Sequence, residues 1–309
     1  LKVADLTGNT TLSSENAATA AINFFTADHI GAYFKISHTG PAKTGACVVT
    51  GITALETSFA NTDINTGTNT ITVSHTFSAG DKVYFRTGGA IFAPIITSSL
   101  VYMIPYYVTE VTSTVSFKLS ISKENAIAST PIVVDITTQG TGTHYVIDAS
   151  GTSVSAVQAT VVEEFGAATA TDNWHESAWS YYQGWPKCVT IHEARLTWGG
   201  STANPDFIWM SRQLNLVDLM SQQLDQDTAT VTSDDPLFFA LGSDRIPQIQ
   251  WISGGDTLQV GTLSTEYIIS GGDSAISATA DPQVRAQTAH GGVDIRPYRV
   301  GNTLLFVGR

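Results

Sequence analysis

Charge is scarce in this 309-residue chain. Only 14% of its residues are Asp, Glu, Lys or Arg, and 15 bases stand against 27 acids for a net charge of −12. A surface that grips nucleic acid neutralises phosphates with clustered Lys and Arg, and the sequence has no such cluster and no basic stripe interleaved with aromatics. Tight DNA binding is therefore not expected. Long apolar runs are also missing: none approaches the roughly 18 to 20 residues a membrane-spanning helix needs, and no basic segment followed by an apolar signal core opens the chain. Cysteine is limited to Cys47 and Cys188, in unrelated segments. Two distant thiols make neither a disulfide framework nor a metal-ligand spacing, and they read as small buried hydrophobes.

What is plentiful is Thr, Ser, Gly, Val and Ile, a profile that favours strands and tight turns. With 42% hydrophobic residues the chain can fill real cores, and the expected fold class is mainly β. The charge is uneven: residues 1 to 150 carry 10 acids and 7 bases, residues 151 to 309 carry 17 acids and 8 bases. All six tryptophans lie between Trp174 and Trp251, which points to a second domain with an aromatic core. The chain opens on Leu1 and stops in the strand-like run Leu304-Leu305-Phe306-Val307-Gly308-Arg309, so it is expected to be a piece of a longer or processed protein.

Four regions follow from pattern. Residues 1–60 form an N-terminal β segment: an Ala-rich stretch from Ser14 to Phe25 suits a helical turn or two, and the alternating run to Ile36 is expected to pair with Ala46 to Ile52 across Gly40-Pro41. Residues 61–147 read as an inserted small β-barrel or sandwich module. Its expected strands are Thr70–His75, Lys82–Arg86, Leu100–Val111, Ser116–Ser120, Ile132–Ile136 and His144–Ile147. Residues 148–173 read as a linker with an exit strand from Val154 to Glu164. Residues 174–309 contain a repeat.

In that repeat, Arg195–Ser201 is followed by Phe207–Ser211, and Thr257–Thr262 is followed by Glu266–Ser270; Thr303 begins a third copy. Each copy is preceded by a short strand: Cys188–His192, Gln248–Ile252 and Tyr298–Val300. The anchor residues Leu196, Leu258 and Leu304 are 62 and 46 residues apart, against roughly 40 to 50 for four-stranded propeller blades with loop insertions allowed. A single blade exposes both faces of a small sheet and buries them only by stacking on neighbours. Partial propeller-like blades, incomplete at the C-terminus, are therefore expected, with a smaller all-β arrangement as the alternative. A short helix is expected near Asn215 to Gln223.

No catalytic, cofactor-binding or metal-binding set emerges. His192 lies at a turn with no His or Cys at ligand spacing, and its neighbours Glu193 and Arg195 suit a local ion pair or hydrogen bonds to a turn. Glu163-Glu164 and Asp234-Asp235 are adjacent carboxylates, which on a strand point to opposite faces and so are not built for joint acid and base work; a solvated edge or turn is expected of both. Gly199-Gly200-Ser201 and Ser253-Gly254-Gly255-Asp256 lack the ending of a phosphate-binding loop and fit hairpin turns. No Gly-x-Ser-x-Gly elbow occurs. Trp198 and Trp209 sit on strands that predict burial, whereas Trp179 and Trp185, beside Tyr181, Tyr182 and Pro186, suit a partner surface or a sugar platform.

Two resemblances attach to these residues. The run Trp174-His175-Glu176-Ser177-Ala178-Trp179-Ser180, then Gly184-Trp185-Pro186-Lys187-Cys188 through Leu196, Gly199-Gly200-Ser201, Pro205 and Trp209-Met210-Ser211, resembles the tail nozzle family of short-tailed bacteriophages, also called tail tubular protein B. The likeness continues at Ile249-Gln250-Trp251, Leu258–Thr262 and Arg296–Gly301, about 135 residues in order, and Phe25–Ala32 looks like a strand start that precedes this region. The strand order of the inserted module, with the turn Ser78-Ala79-Gly80-Asp81 and the runs Tyr107–Val111 and Val115–Leu119, resembles the FCCH domain of the ubiquitin-activating enzyme, as a scaffold and not as an activity.

The first resemblance implies a virion protein that is not an enzyme: a subunit of a tail ring, a homo-oligomer and commonly a hexamer. Its partners would be portal or adaptor proteins and tail fibres, and DNA would pass through its channel without sequence-specific binding. Nozzle proteins usually run well beyond this length. The alternative is a carbohydrate-binding, receptor-binding propeller of the tail, with a propeller glycosidase behind it.

Overall fold

The computed structural model describes residues 1–15, 20–40, 42–88, 103–216, 219, 231–242, 247–301 and 303–309. The chain is mainly β, in antiparallel sheets, and divides into two units, Leu1–Ser177 and Ala178–Arg309.

The strands of the first unit are β1 (Lys2–Val3), β2 (Asn9–Ser13), β3 (Tyr33–Thr39), β4 (Ala42–Gly51), β5 (Glu56–Ala60), β6 (Ile64–Asn65), β7 (Thr70–Thr72), β8 (Lys82–Thr87), β9 (Tyr106–Ser113), β10 (Ser116–Ser120), β11 (Thr143–Asp148), β12 (Ala156–Glu163) and β13 (Trp174–Glu176). A six-stranded sheet runs β1-β2-β12-β4-β3-β13. The β3–β4 hairpin is the expected one, with Tyr33 opposite Val48 and Thr39 opposite Ala42. Alternation puts Leu12, Phe34, Ile36, Cys47, Val49 and Val157 into its core.

Several expectations need correcting here. The strand in 148–173 is no linker: β12 lies inside the sheet, between β2 and β4. Trp174 belongs to this sheet too, opposite Ile36, with its ring 5.5 Å from Phe24 and 6.0 Å from Phe34. Phe25–Ala32 does not start a strand. Ala27–His29 forms a 3₁₀ turn, fixed by the Thr26 backbone N–H donating to His29 Nδ1 at 2.9 Å. The flanks of the Ala-rich stretch are bridged as extended chain, Glu15 to Ala21 and Phe25 to Val154, while residues 16–19 lie outside the described residues.

A seven-stranded sheet, β5-β11-β8-β9-β10-β7-β6, holds the inserted module. It starts at Glu56, ahead of the expected boundary at 61, because Glu56–Ala60 pairs with β11. Glu56 stands opposite Ile147, so the module leaves and returns at one place. Its core gathers Phe59, Ile71, Phe85, Tyr106, Val108, Phe117, Leu119 and Val146. Ile132–Ile136 is no strand, although Val134 and Ile136 are buried and the Val134 N–H donates to the Leu119 carbonyl at 2.8 Å. The expected strand at Leu100–Val111 is seen only from Tyr106, since residues 89–102 lie outside the described residues. Asp28 ties the module to the six-stranded sheet, accepting from Lys82 Nζ at 2.6 Å and from the Tyr84 hydroxyl at 2.9 Å.

The second unit has β14 (Cys188–His192), β15 (Arg195–Gly199), β16 (Phe207–Met210) and β17 (Leu237–Ala240), then β18 (Ile249–Ser253), β19 (Leu258–Thr262), β20 (Glu266–Ser270) and β21 (Gln283–Thr288), then β22 (Tyr298–Val300) and β23 (Thr303–Leu305). They form two four-stranded sheets and a two-stranded one, each a meander in chain order. The expected helix at Asn215–Gln223 falls largely outside the described residues.

Candidate interaction face

Residues directly opposite each other across an antiparallel pair share a face. In the first four-stranded sheet, Cys188, Thr190, His192, Arg195, Thr197, Ile208, Met210, Leu237 and Phe239 therefore share one face. That face packs on the next sheet: Ile208 and Met210 form one core with Ile249, Ile252, Leu258, Val260, Tyr267 and Ile269. The approach is tight at Gly199, where an added Cβ would lie 3.1 Å from both Ile249 and Ile252.

The opposite face is apolar throughout: Val189, Ile191, Leu196, Trp198, Phe207, Trp209, Phe238 and Ala240. Trp179 covers part of it, its ring 5.0 Å from Trp198 and 5.7 Å from Trp209. Trp209 is buried and Trp198 half-buried. Val189, Ile191 and Phe238 stay exposed. Trp185 is 56% exposed, with its ring 5.8 Å from that of Tyr181. The sheet face is thus half-covered by Trp179, and of the two tryptophans expected to meet a partner Trp185 is the exposed one.

Polar residues fix the hairpin that carries this face. Glu193 and Ala194 both adopt positive φ, +48° and +58°, so β14 and β15 join through a two-residue turn. Just beyond it Arg195 is fully buried. Its guanidinium donates to four backbone carbonyls: Ser211 at 2.7 Å, Ser233 at 2.7 Å, Asp235 at 2.8 Å and Asp234 at 3.1 Å. Of the two roles expected for Glu193 and Arg195, hydrogen bonding to a turn is the one observed for Arg195, and that turn lies some forty residues away. Burial lowers the Arg195 pKa from its ordinary value, against the carboxylates of Asp234, Glu193 and Asp235. Glu193 reaches the loop between β20 and β21, its Oε2 accepting from the Ile276 N–H at 2.7 Å.

His192 is buried beside this turn with Nε2 3.8 Å from Glu193 Oε1, and burial lowers its pKa against the pull of Glu193 and the Gly255 backbone. Of the paired acids, Glu164 bonds Lys43 Nζ at 2.7 Å on the surface. Asp235 does not fit the solvated turn expected of it. It is buried, 2.6 Å from Arg212 Nη1, and accepts from the Thr232 N–H at 2.8 Å. Gly254 is required by packing and not by phosphate, since a Cβ there would strike the Ile191 carbonyl. Burial pushes both thiols, Cys47 and Cys188, up to about 12. Among the described residues no three His, Cys, Asp or Glu side chains converge as a metal site would require. No helix among them is long and apolar enough to cross a membrane.

The anchor leucines reveal the repeat's polarity. Leu258 faces back into the core shared with the first sheet. The third sheet likewise faces back on the second: Arg299, opposite Leu304, donates to the Gly254 carbonyl at 3.2 Å and to Gln259 Oε1 at 3.1 Å, and Phe306 packs 5.1 Å from Trp251. Leu196, on the free apolar face, holds the same position with no described sheet behind it. No protein-family model matches the chain, and no curated protein matches its sequence.

Proposed function

We propose that this chain is a structural subunit of a bacteriophage tail, a nozzle or tail-tube ring component that joins neighbouring tail proteins and contributes to the channel through which DNA leaves. The observation that carries this reading is the run of antiparallel meanders stacked face on face in chain order, which suits consecutive propeller-like blades. It leaves an apolar face to be covered by more protein, as an assembly component requires. The acid excess supports it as well: a wall carrying few bases lets duplex DNA slide instead of holding it. The reading assigns the chain no catalytic group, cofactor or metal, and its partners are copies of itself, six by the family likeness, with portal or adaptor proteins and tail fibres.

Antibody raised against the chain tests the assignment on intact particles. Label on the tail axis below the portal supports it, and label on peripheral fibres or on no particle contradicts it. A second reading, a carbohydrate-binding tail protein, is favoured by the exposure of Trp185 and Tyr182. Glycan binding lost on Trp185→Ala would replace the first reading with this one.

A further inference from the structure

The first unit holds a cleft of about 340 Å³ where the inserted module leaves and rejoins the chain, lined by the start of β5, the end of β11 and the segment that follows β7. That is the small end of the roughly 300–1,000 Å³ typical of ligand sites. Its wall after β7 is held in place: the Val73 and His75 N–H groups donate to the Val115 and Thr114 carbonyls, each at 2.9 Å. The His75 ring stacks on Phe77 at 5.1 Å and meets the buried Phe117 edge-on at 5.0 Å. The Phe77 N–H donates to His75 Nδ1 at 3.0 Å, which places the ring proton on Nε2. This buried Nε2 meets no acceptor among the described residues. A donor left unsatisfied costs stability, and in the wall of a cleft it points to a bound acceptor.

The lining narrows the class of ligand. It contains two carboxylates, Glu56 and Asp148, and no Lys or Arg, so an anion would meet repulsion. Both Glu56 oxygens are taken by Arg86, at 2.9 Å from Nε and 2.6 Å from Nη2, whereas Asp148 uses Oδ1 for the Ser150 N–H at 2.8 Å and keeps further acceptor capacity. The hydroxyls of Thr57, Ser74 and Thr76 complete the polar lining, and Leu55 and Phe77 supply apolar surface. A carboxylate accepts, hydroxyls donate and accept, and an aromatic ring packs on C–H groups. The complement is a compact, uncharged ligand with several hydroxyls on a carbon frame. We propose that this cleft binds a neutral sugar, one pyranose ring or the end of a glycan, with Asp148 accepting from its hydroxyls. The site is separate from Trp185 and does not depend on the assignment to a phage tail.

Ligand-observed saturation-transfer NMR on the 309-residue chain tests this with the methyl glycosides of glucose, galactose, mannose and N-acetylglucosamine. Methyl glucuronide and glucosamine serve as the anionic and cationic controls. At least one neutral glycoside is expected to show transfer, more strongly than either charged control. Asp148→Asn keeps the side-chain shape and should weaken that binding about tenfold or more, the loss expected for a hydrogen bond to a charged acceptor. Ser74→Trp, at an exposed position, fills the cleft without entering the core and should abolish the signal; it serves if Asp148→Asn fails to fold, and near-UV circular dichroism checks both. Trp185→Ala should leave the signal unchanged. No transfer to any neutral glycoside, binding that survives both cleft variants, or preference for either charged control would overturn the proposal. Binding lost on Trp185→Ala alone would overturn it too and favour the other carbohydrate reading. The readout needs no particle, so its failure is separable from failure of the tail assignment.

Discussion

Trp251 on β18 lies against Gly261, its partner across the strand pair, so closely that a Cβ at 261 would fall within the indole. Gly292 approaches the same ring near its Nε1, and Phe306 packs 5.1 Å away. The glycine makes the room that lets a tryptophan pack on the face turned toward the third sheet. Gly261→Ala is therefore expected to destabilise the second unit by about 1–3 kcal/mol, the usual range for overpacking a filled core. The denaturation midpoint should fall without a change in slope. An unchanged midpoint would show that the ring moves aside at no cost.

Arg195 holds the 233–235 segment to the β15–β16 pair through four carbonyls. Arg195→Ala removes hydrogen bonds from a charged donor and leaves buried carbonyls unpaired, at a cost of about 3 kcal/mol or more. Arg195→Lys should recover only part of this, because a compact ammonium cannot reproduce the planar guanidinium fork. Urea unfolding of the two variants checks the order; equal stability of the lysine variant and the unmodified chain would contradict it.

Much of this second unit is legible in the sequence. Cys188–His192 and Tyr298–Val300 are strands with the bounds read from alternation, and the three-copy repeat appears as three sheets. The Arg195 clamp is not legible, because its acceptors are backbone atoms that carry no residue signature. The first sheet is harder for a related reason. β2 (Asn9–Ser13) is polar at all but one position, and its place beside β12 depends on pairing across more than a hundred residues of intervening chain. The front face is readable only in part: burial of Trp209 follows from its strand, whereas the cover supplied by Trp179 is a tertiary contact.

The inserted module begins and ends at adjacent positions, Glu56 opposite Ile147. Replacing residues 56–148 with a short Gly/Ser linker should leave the second unit's cooperative unfolding and tryptophan near-UV signal intact. The six-stranded sheet should lose some stability, since Asp28 loses Lys82 and Tyr84. Loss of both signals would show that the module is an integral part of the fold.

His29 is fully buried, and burial lowers its pKa from 6.5 to about 4, outweighing the opposing effects of Thr26 and Asp28. As pH falls through 6.5 the unfolded chain takes up a proton that the folded chain refuses until about pH 4. Stability from this group is thus present above pH 6.5 and lost on acidification, by about 3 kcal/mol. Relative to His29→Gln, the unmodified chain should lose more stability between neutral pH and pH 4. Parallel curves would contradict the assignment.

With a net charge of −12 and only Lys187 and seven arginines after residue 150, the chain should show no submicromolar, salt-sensitive affinity for duplex DNA even at low ionic strength. Filter binding over a salt series measures this, and a steep salt dependence with tight binding would remove the case for a sliding wall.

The central claim is that this chain forms part of a ring around a passage in a phage tail. The most direct test is a cryo-electron microscopy reconstruction of a particle carrying the chain, at a resolution that separates strands. The account predicts stacked meanders of the second unit repeated around the tail axis, with weakly charged or acidic surface lining an open channel. Density for this chain found once per fibre at the particle periphery, away from the axis, would contradict it.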